Sequence, residues 1–315
     1  MAASLGYRHV PTRVIRSGRQ GRSITIGVVI GVPVCDTAMA TFPMVLRGIQ
    51  ERAQVDHVAV DVVTEDPSVW DPRAARQPLF RRIRERRWRG LILMYPFPPE
   101  SVDQIARRIS TVSVLSEYDH LAVDTVDTDH ADIAGMVRHL AAAGHERIGF
   151  VSWRYRVGGR WALRRFGAFA EGMFQLGLEL RADWVANIHR ESNRCETPEA
   201  VAAFVAQRLR RDGVTAWVCA ADHQAYQLIG DLRAVGIEVP RDCSVTGFDG
   251  IAPPPGMPRL TTLGVAHEDI GSSAVARLLS RILHATAPRR KILVETRLVE
   301  GGTVGPPGAV GNTDL

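Results

Sequence analysis

Apolar strands alternate with amphipathic helical stretches from residue 24 onward. The pattern predicts a first strand at residues 24–30, a helix at 44–53, and further strands at 57–63 and 90–94. Strands that alternate with helices in this way form βαβ units around a parallel sheet. Two successive runs of five such strands therefore predict an α/β fold made of two doubly wound parallel-sheet lobes.

A late helix at residues 268–283 and a late strand at 292–298 are too few elements for a third domain. We expect them to return and complete the two lobes, which gives three crossings between the lobes and an interlobe cleft. The predicted division is a basic segment of residues 1–23, a first lobe of 24–127 and 267–293, a second lobe of 128–266 and 294–306, and a tail of 307–315.

Composition fits a globular protein with two cores, because the 315 residues are 45% apolar and 23% charged. The sequence has no apolar run of about 18 residues and no apolar leader near Met1, so we expect a cytoplasmic protein with no membrane partner. Its four cysteines lack C-x-x-C spacing and are predicted to stay reduced. Cys219 and Cys243 fall in strand patterns and are predicted to fill core space.

The positive charge is concentrated at the start of the chain. Residues 1–23 contain five arginines and no acidic residue, so they carry the whole formal charge of +5. Such a segment either meets phosphate, with salt-dependent affinity, or forms a solvated tail. The candidates for such phosphate contacts are Arg8, Arg13, Arg16 and Arg19.

Enzymatic motifs are missing from the sequence. It has no G-x-G-x-x-G, no P-loop and no G-x-S-x-G elbow, so we expect neither an enzyme nor a bound cofactor. An acidic cluster invites three interpretations, which are helix capping or hinge packing, contact with a sugar, and ligation of a divalent cation. Capping or hinge packing is preferred, and no metal site is predicted. The cluster consists of Asp124, Asp127, Asp129, His130 and Asp132.

Four side chains lie near the carboxyl ends of predicted strands and are expected to converge on the cleft. Asp222 and Asp249 each follow an apolar strand, Arg164 begins a helix after another, and Phe42 follows the first. Carboxylates and a guanidinium bond neighbouring hydroxyls, and an aromatic ring covers the apolar face of a sugar. The resulting hypothesis is a sugar site.

Two further residues extend the predicted sugar site. Trp153 lies in the loop after a strand and either stacks on the sugar or packs within the lobe, as does Trp161. Asp129, from the acidic cluster, is included as a sugar contact.

From about Ala2 to Pro307 the chain resembles the LacI/GalR family of bacterial transcription regulators. The resemblance depends on an ordered set of short motifs. They are Leu5-Gly-Tyr7, residues 11–17, residues 26–30, Arg47-Gly-Ile49, His139-Leu140, residues 144–148, Arg164-x-x-Gly167, Asp222, Val239-Pro240, Gly247-Phe-Asp249, Leu260-Thr-Thr262 and Gly271.

The resemblance implies a DNA-binding headpiece, a hinge, and a periplasmic-binding-protein-like core of type I that dimerises and responds to a sugar. Three departures from the family pattern are visible. Only the tail of the last headpiece helix is expected in this chain, Gly18 replaces the leucine that wedges into the minor groove, and Ala221 replaces an asparagine beside Asp222.

Two functions follow from these expectations. The first is a transcription regulator whose partners are a small carbohydrate effector, a second copy of the chain, and DNA if a helix-turn-helix lies upstream of Met1. The alternative is a stand-alone sugar-binding module that has lost specific DNA binding.

Overall fold

The structure, a computed structural model, describes residues 24–31, 41–67, 78–85, 87–155, 160–189 and 193–308. The arginines predicted to contact DNA lie outside the described residues, and so does most of the loop before Phe42. The expectations about the hinge segment and Gly18 therefore stay predictions. The arginines concerned are Arg8, Arg13, Arg16 and Arg19.

The first lobe is built on a six-stranded sheet. Its strands are β1 (Thr25–Gly31), β2 (Ala59–Glu65), β3 (Gly90–Met94), β4 (Thr111–Val114), β5 (Asp124–Thr128) and β11 (Lys291–Val294). They run parallel in the spatial order β11-β5-β4-β3-β1-β2. The central strands β1 and β3 are almost wholly buried, as expected for strands covered by helices on both faces. The covering helices are α1 (Phe42–Val55), α2 (Pro78–Arg84), α3 (Pro99–Ala106) and α8 (His267–Leu283).

The second lobe repeats this plan. Its strands are β6 (Ile148–Val151), β7 (Val185–Ala186), β8 (Ala216–Cys219), β9 (Ser244–Asp249), β10 (Thr261–Val265) and β12 (Thr296–Val299). The spatial order is β12-β10-β9-β8-β6-β7, and only β12 is antiparallel to its neighbour. Its helices are α4 (Ile133–Ala142), α5 (Trp161–Gln175), α6 (Pro198–Asp212) and α7 (Asp222–Ala234).

The strand orders confirm the predicted α/β class, because both sheets contain the doubly wound order 2-1-3-4-5. The late strand predicted at residues 292–298 is two strands instead of one. Its first half, β11, pairs with β5 of the first sheet, and its second half, β12, pairs with β10 of the second. The chain therefore crosses between the lobes after β5, between β10 and α8, and at Glu295, which gives the three expected crossings.

The described cysteines are buried in the cores of the protein as free thiols. Cys195, Cys219 and Cys243 are buried free thiols, and burial raises the pKa of the Cys219 thiol well above its usual value. Cys35 lies outside the described residues. Among the helices of the described ranges, none has the length and apolar character needed to cross a membrane.

Helices α1 and α8 touch through glycines. A Cβ added to Gly48 would lie 1.9 Å from the Glu268 carbonyl oxygen, and one added to Gly271 would lie 2.1 Å from the Val45 carbonyl oxygen. The contact atoms are backbone atoms, which cannot turn aside as a flexible side chain does. The close crossing of these two helices therefore requires glycine at both positions.

Gly271→Ala should lower the free energy of unfolding by about 1–3 kcal/mol, because overpacking a tight contact forces the backbones apart. The matched control is Gly167→Ala in α5, where an added Cβ meets nothing within 4 Å. That control should stabilise the helix by up to about 1 kcal/mol. Urea unfolding measures both, and equal midpoints for Gly271→Ala and wild type would contradict the expected crowding.

Candidate functional site

The two sheets turn their carboxyl edges toward each other. Tyr95 follows β3 of the first lobe and Asp249 ends β9 of the second, and the pKa of the Tyr95 hydroxyl is raised mainly by burial and further by the Asp249 charge. Arg164 of α5 reaches Glu117 of the first lobe, with 2.9 Å between Nη2 and Oε2. Open α/β sheets bind ligands in the crevice outside the carboxyl ends of their strands. The cleft between the lobes is therefore the candidate functional site.

A carboxylate and a guanidinium lie together on the second-lobe side of this cleft. Asp249 Oδ1 is 3.5 Å from Nη2 of Arg165, and their side chains are 13% and 7% exposed. Burial raises the pKa of the Asp249 carboxyl, and the Arg165 cation opposes that rise. The pair presents hydrogen-bond acceptors and donors side by side at the carboxyl edge of the sheet.

Arg165 is held in place by several neighbours. Its guanidinium carbon lies 3.6 Å from the ring centre of Phe248 and 4.9 Å from that of Trp161. Nη1 donates to the Ala220 carbonyl oxygen at 2.5 Å, and Nε donates to Nδ1 of His130 at 3.4 Å. The cation thus lies over two aromatic rings, where attraction to their faces offsets part of the cost of burial.

The structure places the predicted Arg164 at the rim of the cleft instead of inside it. Its side chain is 44% exposed and bonds to Glu117, which also accepts from Lys291 Nζ at 3.1 Å. A second cross-lobe ion pair joins Arg160 to Asp119. Arg164 therefore connects the lobes, and the interior guanidinium comes from the next residue.

The helical periodicity of α5 predicts that Arg165, and not Arg164, lies on its buried face. The buried face of α5 includes Ala168, Phe169, Gly172 and Met173, and Arg165 lies three and four residues before the first two. Positions at that spacing share one face of a helix. Arg164 is rotated by one position from that face.

Asp222 lies beneath the surface of the cleft and is fully buried. Its Oδ2 accepts from the backbone N–H groups of Gly250 at 2.7 Å and Ile251 at 2.9 Å, and its Oδ1 accepts from the Thr262 hydroxyl at 2.6 Å. Both oxygens are therefore used by the protein. Burial raises the pKa of this carboxyl, and the hydrogen bond from Thr262 is the largest opposing effect.

Aromatic rings line the same edge of the second lobe. The rings of Trp153 and His223 are 5.1 Å apart, and those of Tyr155 and Trp161 are 5.7 Å apart. The Tyr155 hydroxyl bonds to Nε2 of His223 at 2.8 Å and accepts from Gln224 at 2.7 Å. Burial lowers the pKa of His223 to about 4, so its ring is neutral near pH 7. Trp153 thus belongs to an aromatic group that sequence reasoning found only in part.

On the first-lobe side, the predicted sugar contact of Phe42 stays a prediction, and sequence reasoning missed a tyrosine. Phe42 begins α1 and packs against the first-lobe core. The Tyr95 hydroxyl shares a 2.7 Å hydrogen bond with the Thr41 hydroxyl, and burial raises its pKa to about 12. The position of Tyr95, directly after β3, is the signal that would have indicated it.

Two members of the acidic cluster, Asp129 and Asp132, lie at the crossing between the lobes. Asp129 accepts from the Ala131 backbone N–H at 2.9 Å, and Asp132 accepts from the Thr296 hydroxyl at 2.6 Å. Asp132 occupies the N-cap position of α4 but makes no side-chain cap bond, so hinge packing fits better than capping. Among the residues that the structure describes, no group of three or more metal-binding side chains is placed to hold an ion.

Comparison with known proteins identifies relatives. A family model described as a periplasmic binding protein-like domain matches residues 137–304. The HTH-type transcriptional repressor PurR of Photobacterium profundum is 26% identical over 307 residues, covering 95% of this chain and 86% of the relative.

Two solved structures show the same fold. The lac repressor dimer bound to operator and the anti-inducer ONPF is similar with a TM-score of 0.71 at 20% identity, covering 95% of this chain and 100% of that chain. The LacI family transcriptional regulator CCPA from Weissella paramesenteroides with bound glucose has a TM-score of 0.69 at 19% identity, covering 89% and 98%.

Fold and cleft together define a two-lobed binding domain, and the family model covers more than half of the chain. The chain belongs to the periplasmic binding protein-like family, among the LacI-type transcriptional regulators. The resemblance to the LacI/GalR family is therefore confirmed.

Proposed function

We propose that this regulator binds a small carbohydrate in the cleft and that lobe closure on the sugar changes the DNA binding of a dimer in the cytoplasm. The observation that carries the proposal is the buried pair of Asp249 and Arg165 beside aromatic rings. A carboxylate accepts hydrogen bonds from sugar hydroxyls, and a guanidinium donates to their oxygens. Rings such as Trp153 cover the apolar face of a sugar.

Ion pairs across the cleft would couple sugar binding to the arrangement of the two lobes and so to DNA binding. Arg164 with Glu117, and Arg160 with Asp119, join the lobes at the rim. Such contacts exist only in arrangements that bring the two lobes together. A sugar that prefers one arrangement shifts the equilibrium by its differential affinity, typically about 1–3 kcal/mol. In a dimer this shift would change how two DNA-binding segments are spaced.

A thermal-shift experiment tests sugar binding. The purified chain is heated with D-glucose, D-ribose, sucrose, cellobiose and nucleosides, and binding to the folded state alone raises the melting temperature. At about 100 times Kd the stabilisation is about 2.7 kcal/mol. Asp249→Ala should remove the shift, whereas Asp183→Ala, at a 63% exposed side chain of the same lobe, should retain it.

The outcomes separate the two candidate functions. A shift that Asp249→Ala leaves unchanged would move the sugar site elsewhere, and no shift with any sugar would contradict the proposal. Fluorescence anisotropy with duplex DNA then measures regulation, since the active sugar should change DNA affinity by about 5- to 150-fold. Sugar binding without any effect on DNA would favour the stand-alone sugar-binding module.

A further inference from the structure

We infer that Asp222 is a positioning residue that holds the turn at Asp249 in its working shape and does not itself touch the effector. The inference deepens the proposed sugar site and rests on it only for one of the two measurements below. Asp222 was expected to contact the sugar, yet its carboxylate is fully buried beneath the cleft.

The hydrogen bonds of Asp222 all go to the segment that carries Asp249 and to the strand beside it. The backbone N–H groups of Gly250 and Ile251, which directly follow Asp249, both donate to Oδ2. The Thr262 hydroxyl, from the neighbouring strand β10, donates to Oδ1. One side chain from the start of α7 thus ties together the end of β9 and strand β10.

The turn needs such support because its backbone is unusual. Asp249 has φ of +133° and Gly250 has φ of +77°. A non-glycine residue rarely adopts the first of these values, and it persists only where the surroundings impose it. The two N–H groups that Asp222 binds are the ones that follow the strained residue. Without an acceptor there, Asp249 would be free to relax and turn away from Arg165.

A glycine makes the close approach of Asp222 possible. A Cβ added to Gly247 would lie 2.1 Å from Asp222 Oδ1 and 2.5 Å from Cδ2 of Leu260. The strand therefore passes the carboxylate at a distance that no side chain permits. This explains why the segment that resembles the family signature has glycine two residues before Asp249.

The role needs an acceptor for the two turn N–H groups and a hydrogen bond to the Thr262 hydroxyl, but not a charge. In Asp222→Asn, the amide oxygen would accept from Gly250 and Ile251, and the amide nitrogen would donate to a Thr262 hydroxyl turned the other way. In Asp222→Ala, both N–H groups would lose their partner. A residue that positions the turn is therefore rescued by asparagine.

Hydrogen exchange without any sugar tests the inference directly. Mass spectrometry follows the peptide of residues 248–253 in wild type, Asp222→Asn and Asp222→Ala. Exchange of its Gly250 and Ile251 amides should speed up at least about tenfold in Asp222→Ala and stay within about threefold of wild type in Asp222→Asn. Unchanged protection in Asp222→Ala would overturn the inference, whether or not any sugar binds.

Sugar affinity supplies the second measurement, with D-glucose, D-ribose, sucrose and cellobiose as probes. The Kd of any that binds wild type should rise at least about tenfold in Asp222→Ala and stay within about threefold in Asp222→Asn. Restored protection in Asp222→Asn without restored affinity would show that the carboxylate contacts the sugar, and would overturn the inference.

A double variant covers the case in which Asp222→Ala fails to fold. Thr262→Val removes the hydroxyl partner, so Asp222→Asn combined with Thr262→Val leaves the amide nitrogen without an acceptor. The exchange free energy lost at residues 248–253 in the double variant should exceed the sum of the losses in the two single variants. Simple additivity would show that the Asp222–Thr262 bond does not support the turn, and would contradict the inference.

Discussion

Arg165→Ala should unfold at much lower urea concentration than wild type and lose most of its sugar affinity, while Arg164→Ala should nearly retain both. Removing Arg165 leaves the buried Asp249 carboxylate without its cation, a change that typically costs about 3–5 kcal/mol. It also removes a donor from the proposed sugar site, which costs about 1.5–3 kcal/mol, or roughly 10- to 150-fold in Kd.

The neighbouring arginine is a matched control for this prediction. Both residues lie in α5, but the Arg164 side chain is 44% exposed and the Arg165 side chain 7%. An exposed ion pair such as Arg164 with Glu117 is worth less than about 1 kcal/mol. Urea unfolding and titration with a stabilising sugar measure the two variants side by side. A larger loss of both quantities in Arg164→Ala would show that the site uses the rim arginine instead.

Much of the fold was predictable because it follows from local chemistry. Buried central strands such as Gly90–Met94 are continuously apolar, and their helices repeat apolar positions at helical spacing. The break at Glu295 was not predictable in the same way. The stretch around it has high strand propensity throughout, and only the presence of two separate sheets divides it into β11 and β12.

The location of the candidate side chains in the fold was predictable, but their contacts were less so. Placement after the end of a strand predicted that Asp249 lies at the carboxyl edge of the second sheet, where the structure has it, because that edge is a property of topology. Arg164 and Arg165 differ by one helical position, which motif matching does not resolve and the burial pattern of α5 does. The same rule applied to the first lobe would have indicated Tyr95, because it directly follows β3.

The buried charges also connect the cleft with a crossing between the lobes. Arg165 bonds to His130 at 3.4 Å, and His130 Nε2 lies 3.7 Å from Asp127 Oδ2 in β5, the strand that leads into the first crossing. Burial lowers the pKa of His130, so this link works as a neutral hydrogen-bonding ring near pH 7. A shift of Arg165 toward a bound sugar would therefore change its contact with His130 and, through it, the contact with Asp127 at the crossing between the lobes.

Asp124→Ala should destabilise the first lobe by about 3–5 kcal/mol, since it leaves two buried arginines without their counter-ion. Asp124 is fully buried, and its oxygens lie 3.1 Å from Nη2 of Arg277 and 3.3 Å from Nε of Arg281. It also accepts from the Arg290 backbone N–H at 2.5 Å. One carboxylate thus fastens β5 to α8 and to the start of β11.

Two comparisons make the Asp124 prediction specific. Asp103→Ala breaks an exposed pair with Arg107 and should cost less than about 1 kcal/mol. Asp124→Leu combined with Arg277→Met and Arg281→Met removes all three buried charges together and should recover most of the loss, because apolar residues can replace a buried ion-pair triad. Urea unfolding decides the matter. A triple variant as unstable as Asp124→Ala would mean that the lost bond to the Arg290 backbone, and not the two unpaired arginines, is the source of the instability.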